Sequence, residues 1–531
     1  MWAERAGVAG VQPAAENLLA EHAATVNPGG SEGAGAGPSL SSAVGVGMVW
    51  MAMLSIAAKS MSLLAQVVLT SRLSKVEWAL GGLAVSIAAF PAVLQNAGLA
   101  SVLVHRQREF DRWAKGAASL GVALGVVAWI AIVGAGLVAA PLYKSPELVG
   151  LLVFVATTVL VNSAAAVPNA RLQIDLRIGT IARVGLVSNL ALNSLSAGMA
   201  LYGLGAYACV APQVVSGLVS VVLLWRHSGV PVRFGIEWRI WLALLADASA
   251  IIITNLMWAI ANFGDNIAVS AFASKEELGV YYFAYSLSFQ VVQMVAGNAQ
   301  PVLLPALTRL ADDPPRQAAA FLRGARILAS VCFPFIAALG FFCPQVLSLV
   351  WGSKWDDAVP IIRVLCVGMC LFLVSMSSGS LITAQGRFRT TMYFAIFTAI
   401  EFIGLVTLGA YLGGVLGVAV AVAVHHWLAG TVGIWLGVSR GGRGLLDIFG
   451  VYWAAALACG GAILAAYVVK QWALPACAHP LAILAAGGAA GAVAYVVVLR
   501  VASPSAAKDA WRQLYEVFSK VRGRFGGRKA S

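Results

Sequence analysis

The sequence predicts an all-α polytopic membrane protein of 14 transmembrane helices, arranged as two six-helix bundles around a central cavity plus two extra helices. Three observations predict it. Of 531 residues, 60% are hydrophobic and 11% charged, with mean hydropathy +0.85. Soluble domains carry about 25% charged residues, so a water-soluble fold is excluded. The apolar residues fall in runs of about 20, the length a helix needs to cross the hydrocarbon core, divided by short polar turns. Finally, part of the chain repeats: Ser74-Lys75-x-Glu77 and Ala84-x-Ser86 recur 200 positions later as Ser274-Lys275-x-Glu277 and Ala284-x-Ser286.

Taken in order, residues 1–42 are rich in Ala, Gly, Glu and Pro and hold no apolar core of signal-peptide length, so they read as a disordered cytoplasmic tail. The spans follow at 43–70, 78–104, 116–140, 148–168, 181–201, 204–225, 240–263, 279–305, 322–348, 358–384, 391–411, 414–437, 449–469 and 480–502. After them, 504–531 carries Lys508, Arg512, Lys520, Arg522, Arg524, Arg528 and Lys529. Its apolar residues Trp511, Leu514, Tyr515, Phe518 and Val521 share one helical face, the pattern of a basic amphipathic tail lying on anionic membrane lipid.

Loop charge sets the orientation, because Lys and Arg are retained on the cytoplasmic side. Loops after even-numbered spans are basic, through Arg106, Arg108, Arg112 and Lys115, then Arg171 and Arg177, Arg226, Arg233 and Arg239, Arg309, Arg316 and Arg323, Arg387 and Arg389, and Arg440 and Arg443. Loops after odd-numbered spans hold only Arg72, Lys75, Lys144, Lys275, Lys354 and Lys470. Both termini are therefore expected in the cytoplasm. The net charge of +13 belongs to these loops and the tail, and no basic patch interleaved with aromatics suggests a nucleic-acid partner. The seven cysteines lie in or beside apolar spans without ligand-spaced histidines, so no metal and no cofactor is expected.

The repeat extends through Val102-Leu103 and Val302-Leu303. At an offset grown to 212, Gln173 and Arg177 match Gln385 and Arg389, and Leu204-Gly205 match Leu416-Gly417. Six spans separate the copies, so both enter the membrane in the same direction and pair about an axis along its normal. The expected domains are an N-lobe at 43–226, a C-lobe at 227–438, and helices 13 and 14 at 439–503.

The turn Arg72-Leu73-Ser74-Lys75-Val76-Glu77-Trp78, the segment Leu94-Gln95-Asn96-Ala97-Gly98-Leu99-Ala100-Ser101, and the run Gly279-Val280-Tyr281-Tyr282-Phe283-Ala284-Tyr285 carry a family resemblance. So do Pro301-Val302-Leu303-Leu304-Pro305, Trp351-Gly352-Ser353-Lys354-Trp355 and Ala384-Gln385-Gly386-Arg387. Over residues 40 to 440 the chain resembles the polysaccharide transporter family, the Wzx-type branch of the multidrug/oligosaccharidyl-lipid/polysaccharide exporter superfamily. The resemblance implies a flippase in the bacterial inner membrane that moves undecaprenyl-diphosphate-linked oligosaccharide units for exopolysaccharide, capsule or O-antigen synthesis. A polysaccharide polymerase and glycosyltransferases are the partners it implies. It also implies a cavity lined by spans one, two, seven and eight.

Such a ligand joins an apolar tail, an anionic diphosphate and a sugar, so its carrier needs a hydrated cationic cavity. In span one, Ser55, Lys59, Ser62, Gln66 and Thr70 fall on one helical face. A lysine at mid-span costs about 3 kcal/mol unless it faces protein or water. Lys59 is thus a candidate for the diphosphate, with an ion pair to Asp247 or Glu401 as the structural alternative. Span seven offers Asn255, Trp258 and Asn262, flanked by Asp247 and Asp265. Tyr282, Tyr285, Phe289 and Gln293 share a face of span eight, where helix packing competes with sugar stacking. Arg72 ends span one as an anchor or a ligand contact. Asp247, Asp265 and Glu401 are candidates for ion coupling, whereas adjacent His425 and His426 read as structural. An enzyme is not expected, because no loop holds a nucleophile with a base. The alternative is a cation-coupled drug exporter of the same superfamily.

Overall fold

A computed structural model of the chain describes residues 58–95, 97–175, 177–231, 234–296, 307–473, 479–504 and 508. The expectations for the 1–42 tail, for Ser55 and for the amphipathic tail lie outside the described residues. Every described element is helical. The first is α1, 58–72. Then come α2 (Lys75–Ala89), a 3-10 turn Pro91–Leu94, α3 (Leu99–His105), α4 (Phe110–Leu142), α5 (Glu147–Ser163), α6 (Ala166–Ile174), α7 (Ile178–Leu201) and α8 (Tyr207–Ser228). The chain continues with α9 (Trp238–Phe272), α10 (Lys275–Ala296), α11 (Pro314–Trp351), α12 (Val359–Ala384), α13 (Phe388–Val438), α14 (Leu445–Val468) and α15 (Pro480–Ala502).

Among the described residues, seven helices are long and apolar enough to cross a membrane, or ten when each bent pair counts as one span. The protein is therefore an all-α, multi-pass membrane protein. Three expected spans are broken. Lys75–Ala89 meets Pro91–His105 at 46°, α5 meets α6 at 41°, and α9 bends by 48° between Ser249 and Ile251. Pro91 accounts for the first break, since it lacks an N–H to continue the helix and its ring crowds the preceding turn. The 51 residues of α13 are two helical arms joined at Gly413 and Gly414. Gly414 has φ 56° and ψ −140°, a backbone conformation that side chains with a Cβ oppose, so the chain can reverse there.

The repeated Ser-Lys-x-Glu motif has a local physical cause. Each copy is a capping box at the start of a helix. In the first, Glu77 Oε2 accepts from the Ser74 amide at 2.7 Å and hydroxyl at 2.9 Å, and Ser74 Oγ accepts from the Glu77 amide at 3.2 Å. In the second, the same three bonds join Ser274 and Glu277 at 2.8, 3.0 and 3.2 Å. The helices they start, α2 and α10, pack on one another. Gly82 lies directly under the Tyr282 ring, where an added Cβ would come within 2.6 Å of ring carbons. Position 82 thus meets its own repeat-mate.

The later repeat differs from the sequence alignment by one step. Arg177 donates to the His227 carbonyl at the end of α8, at 2.7 Å. The corresponding bond at the end of α13, to the Leu436 carbonyl at 2.7 Å, comes from Arg387 and not from Arg389.

The largest buried side chains include Trp355, Tyr281, Phe283, Phe321 and Phe402. Phe283 stacks on Trp355 at 4.1 Å and meets Trp351 edge-on at 5.2 Å. The turn 351–355 then clasps the end of α1. Lys354 Nζ donates to the carbonyls of Thr70, Ser71 and Leu73 at 2.8, 3.0 and 2.5 Å. Trp351 donates to Thr70 Oγ1 at 2.9 Å and Trp355 to the Thr70 carbonyl at 3.2 Å. Helix ends leave their last carbonyls unpaired, and a half-buried cation is a strong donor to them. Burial holds the Lys354 ammonium below the usual lysine pKa, with the Glu77 carboxylate opposing that shift. Lys75 pairs with Asp357 at 2.7 Å beside the clasp. Away from these contacts the outer faces expose Leu137, Val138, Leu408, Leu464 and Val497, as a surface solvated by lipid does.

Candidate functional site

Three cavities meet at Asn262 of α9. The first, about 350 Å³, lies between α1, α9 and α10 and is lined by Lys59, Ser62, Asn262, Asn266, Tyr282, Tyr285, Phe289 and Gln293. The second, about 660 Å³, reaches toward α2, α5 and α8 through Gln95, Asn162 and Gln213, and holds Asn255, Trp258 and Asn262 on its α9 side. The third, about 200 Å³, runs between α9, α12 and the two arms of α13 and holds Trp258, Asn262, His425 and His426.

Of the stripe read from span one, Lys59 and Ser62 line the first cavity. Lys59 Nζ donates to the backbone carbonyl of Gln293, and Gln66 Nε2 donates to Ser286 Oγ at 3.1 Å. Thr70, at the far end of the stripe, is fully buried under the clasp. Tyr285 stacks on Phe289 at 5.9 Å, giving the cavity an aromatic wall beside its one lysine. Asn262 Nδ2 donates to the Trp258 carbonyl, leaving its side-chain oxygen available, and the Trp258 side chain is 52% exposed.

Other expected site residues are placed elsewhere. Arg72 is exposed at the end of α1 and lines none of these three cavities. Asp247 neither meets Lys59 nor faces the cavities. It pairs with Arg106 through Nη2 at 2.7 Å and Nε at 3.1 Å, and the Arg106 guanidinium lies 4.2 Å from the Trp113 ring centre. The bend between Ser249 and Ile251 is the reason, since a stripe projected along a straight helix does not survive a 48° break. Asp265 is fully buried behind the cavity wall, accepting from the Tyr281 hydroxyl at 2.7 Å and the Asn266 amide at 2.9 Å. Glu401, on the first arm of α13, accepts from or donates to His425 Nδ1 at 2.5 Å. In the sequence neither histidine has a ligand-spaced partner, and so both read as structural. Only the reversal at Gly414 reveals the pair.

The described residues thus form a many-span helical membrane protein with polar cavities between its packed helices. Its fold is similar to that of a solved lipid II flippase MurJ in an inward closed conformation, with TM-score 0.66 and 12% identity over 85% of this chain and 98% of that one. A model of the polysaccharide biosynthesis protein family matches residues 68–360, and the chain belongs to that family. Among curated proteins it is similar to the lipopolysaccharide biosynthesis protein WzxC of Escherichia coli, 28% identical over 25% of this chain and 28% of that protein. It is also similar to the teichuronic acid biosynthesis protein TuaB of Bacillus subtilis, 24% identical over 57% of this chain and 63% of that protein. The matched stretch is thus less than two thirds of either relative.

Proposed function

We propose that the protein is a flippase for undecaprenyl-diphosphate-linked oligosaccharides, carrying them across the bacterial inner membrane for exopolysaccharide, capsule or O-antigen synthesis. It does so by alternating access, with 43–226 rocking against 227–438, helices 13 and 14 outside this core, and both termini in the cytoplasm. Counting the two arms of α13 separately raises the ten spans among the described residues to eleven, and the fourteen of this reading require α1, α10 and α12 to cross as well. The observation that carries the reading is the wall of the first cavity, where a single lysine, Lys59, stands among amides and aromatic rings. A cation suits diphosphate, and aromatic and amide groups suit a sugar. Lys59 is held by the Gln293 carbonyl, and an arriving diphosphate offers it a stronger, charged acceptor. The family membership and the relatives' printed roles in polysaccharide biosynthesis favour this ligand over a drug.

The test replaces Lys59 in a polysaccharide-producing host and follows the sidedness of the lipid-linked glycan. Removing a charge-assisted bond costs about 1.5–3 kcal/mol, so Lys59→Ala is expected to slow export roughly tenfold or more and Lys59→Glu to stop it, with Lys59→Arg partly active. Unchanged export in both Lys59→Ala and Lys59→Glu would remove Lys59 from the mechanism. Glycan sidedness that does not depend on the protein at all would leave the drug-exporter alternative.

A further inference from the structure

The three broken spans converge on one place. Gln95 follows the 3-10 turn Pro91–Leu94, Asn162 stands in the last turn of α5 just before its break with α6, and Asn255 follows the bend between Ser249 and Ile251. All three line the second cavity, of about 660 Å³, together with Gln213 of α8 and with Trp258 and Asn262 of α9. Broken backbone at membrane depth is tolerated where it is buried in protein or borders water, and carriers use discontinuous helices to gather polar groups around a ligand. Here each break brings an amide side chain to the same chamber. The chamber also adjoins the first cavity, since Asn262, Phe263 and Phe289 line both. A ligand whose diphosphate lies at Lys59 therefore reaches the chamber past Asn262.

The chemistry of its wall is that of hydroxyl recognition. Gln213 Nε2 donates to the Cys209 carbonyl at 2.9 Å and Asn262 Nδ2 to the Trp258 carbonyl at 2.8 Å. Each of these amides is turned back on its own helix, and its side-chain oxygen makes no hydrogen bond among the described residues. The Gln95 and Asn162 side chains make none at either end among the described residues. Alanines and valines of α2 and α5 fill the wall between them, and none of the described residues lining the chamber is charged. A sugar ring has apolar C–H faces and an edge of hydroxyls, each both donor and acceptor. The amides meet the hydroxyls in either role, while the aliphatic wall and the half-exposed Trp258 ring meet the faces. A carboxylate only accepts. The oxygens of Gln213 and Asn262 oppose it, and with no cation among the described lining residues its burial stays uncompensated.

We propose that the second cavity is the glycan site and that it selects an uncharged sugar. Gln95, Asn162, Gln213 and Asn262 pair with hydroxyls of the saccharide next to the diphosphate, and the chamber discriminates against uronic acids and other anionic sugars. This rests on the flippase reading above, in which Lys59 takes the diphosphate, and adds the class of glycan, which Lys59 leaves open.

The test titrates the purified full chain in lipid nanodiscs with three probes: undecaprenyl diphosphate, the same lipid bearing one glucose, and the same lipid bearing one glucuronic acid. The glucose lipid is expected to bind roughly tenfold tighter than the bare lipid, and the glucuronic acid lipid no tighter than the bare one. Gln95→Ala and Asn162→Ala are each expected to lower the ratio of glucose-lipid to bare-lipid affinity about fivefold, the size of one neutral hydrogen bond. Gln213→Lys keeps the length of the side chain and supplies a cation. It is expected to raise affinity for the glucuronic acid lipid, relative to the bare lipid, roughly tenfold or more, a gain that a misfolded variant cannot produce. Wild type that binds the glucuronic acid lipid as tightly as the glucose lipid overturns the selection. A glucose lipid that binds no tighter than the bare lipid, or not at all, overturns the glycan site. In either case movement of the bare and glucose lipids across proteoliposome membranes keeps the flippase reading standing. Selective binding by a protein that moves none of the three supports the site and overturns the flippase reading.

Discussion

At the scale of single residues, the buried bond between Tyr281 and Asp265 is the contact most exposed to a simple test. The carboxylate is fully buried and takes one of its two side-chain bonds from the tyrosine hydroxyl. Tyr281→Phe keeps the ring and removes the donor, leaving a buried oxygen unpaired at a cost of about 1–3 kcal/mol. The purified protein is expected to unfold at a lower temperature, and Asp265→Asn combined with Tyr281→Phe to cost less than the two changes added separately. Strict additivity would show that the bond contributes nothing. Much at this scale was legible in the sequence: Lys59, Ser62, Asn262, Tyr285 and Gln293, taken from the faces of three spans, line a single cavity. Helical periodicity carried them, because α1 and α10 run without a break past those positions. Asp247 was misplaced because a bend intervenes, and His425 was passed over because its partner is 24 residues away on another arm.

At the scale of elements, hydropathy located long apolar helices, seven to ten of which can cross a membrane among the described residues, and was blind to their breaks. A run of apolar residues reads alike whether straight, bent by Pro91 or reversed at Gly414. The Ser-Lys-x-Glu repeat, by contrast, was readable because capping boxes depend on a few residues at fixed spacing. The turn Trp351-Gly352-Ser353-Lys354-Trp355 carries a family resemblance in the sequence, but its role as a clasp depends on carbonyls at the end of α1, some 280 residues away in the chain. Lys354→Ala withdraws the cation from three carbonyls, which on the order of 2 kcal/mol per lost charged contact weakens the clasp at least roughly thirtyfold. Spin labels on Ser71 and Ser353, both exposed, are expected to report a longer and broader separation in that variant. An identical distance distribution would show that the tryptophans alone hold the clasp.

At the scale of the whole molecule, the proposed bundles are fastened to one another at two faces. One face carries the Lys354 clasp, the Trp351 and Trp355 bonds, the Lys75–Asp357 pair and the close crossing of Gly279 against the Lys75 carbonyl. The other joins α3's end and α4 to α9 and the segment before it: Arg106 pairs with Asp247, their side chains 35% and 40% exposed, Ser119 Oγ donates to the Gly235 carbonyl at 2.7 Å, Trp241 Nε1 donates to Ser119 Oγ at 3.2 Å, and Lys115 lies 3.8 Å from Glu237. Half-exposed pairs contribute about 0–1 kcal/mol, so Arg106→Ala is a mild change; opening the clasped face requires many contacts to part together. If transport alternates, that face must nevertheless open in every cycle. Cysteines replacing Lys75 and Asp357, joined by a short cleavable bismaleimide, fix α2 to the turn before α12. Export of lipid-linked glycan is expected to fall to background while the link is intact and to return when it is cleaved, with each single-cysteine variant remaining active after the same treatment. The buried or half-buried cysteines among the described residues offer the reagent little competition. Full-rate export through the linked protein would mean that the bundles never separate at this face, and the rocking of 43–226 against 227–438 would have to be abandoned.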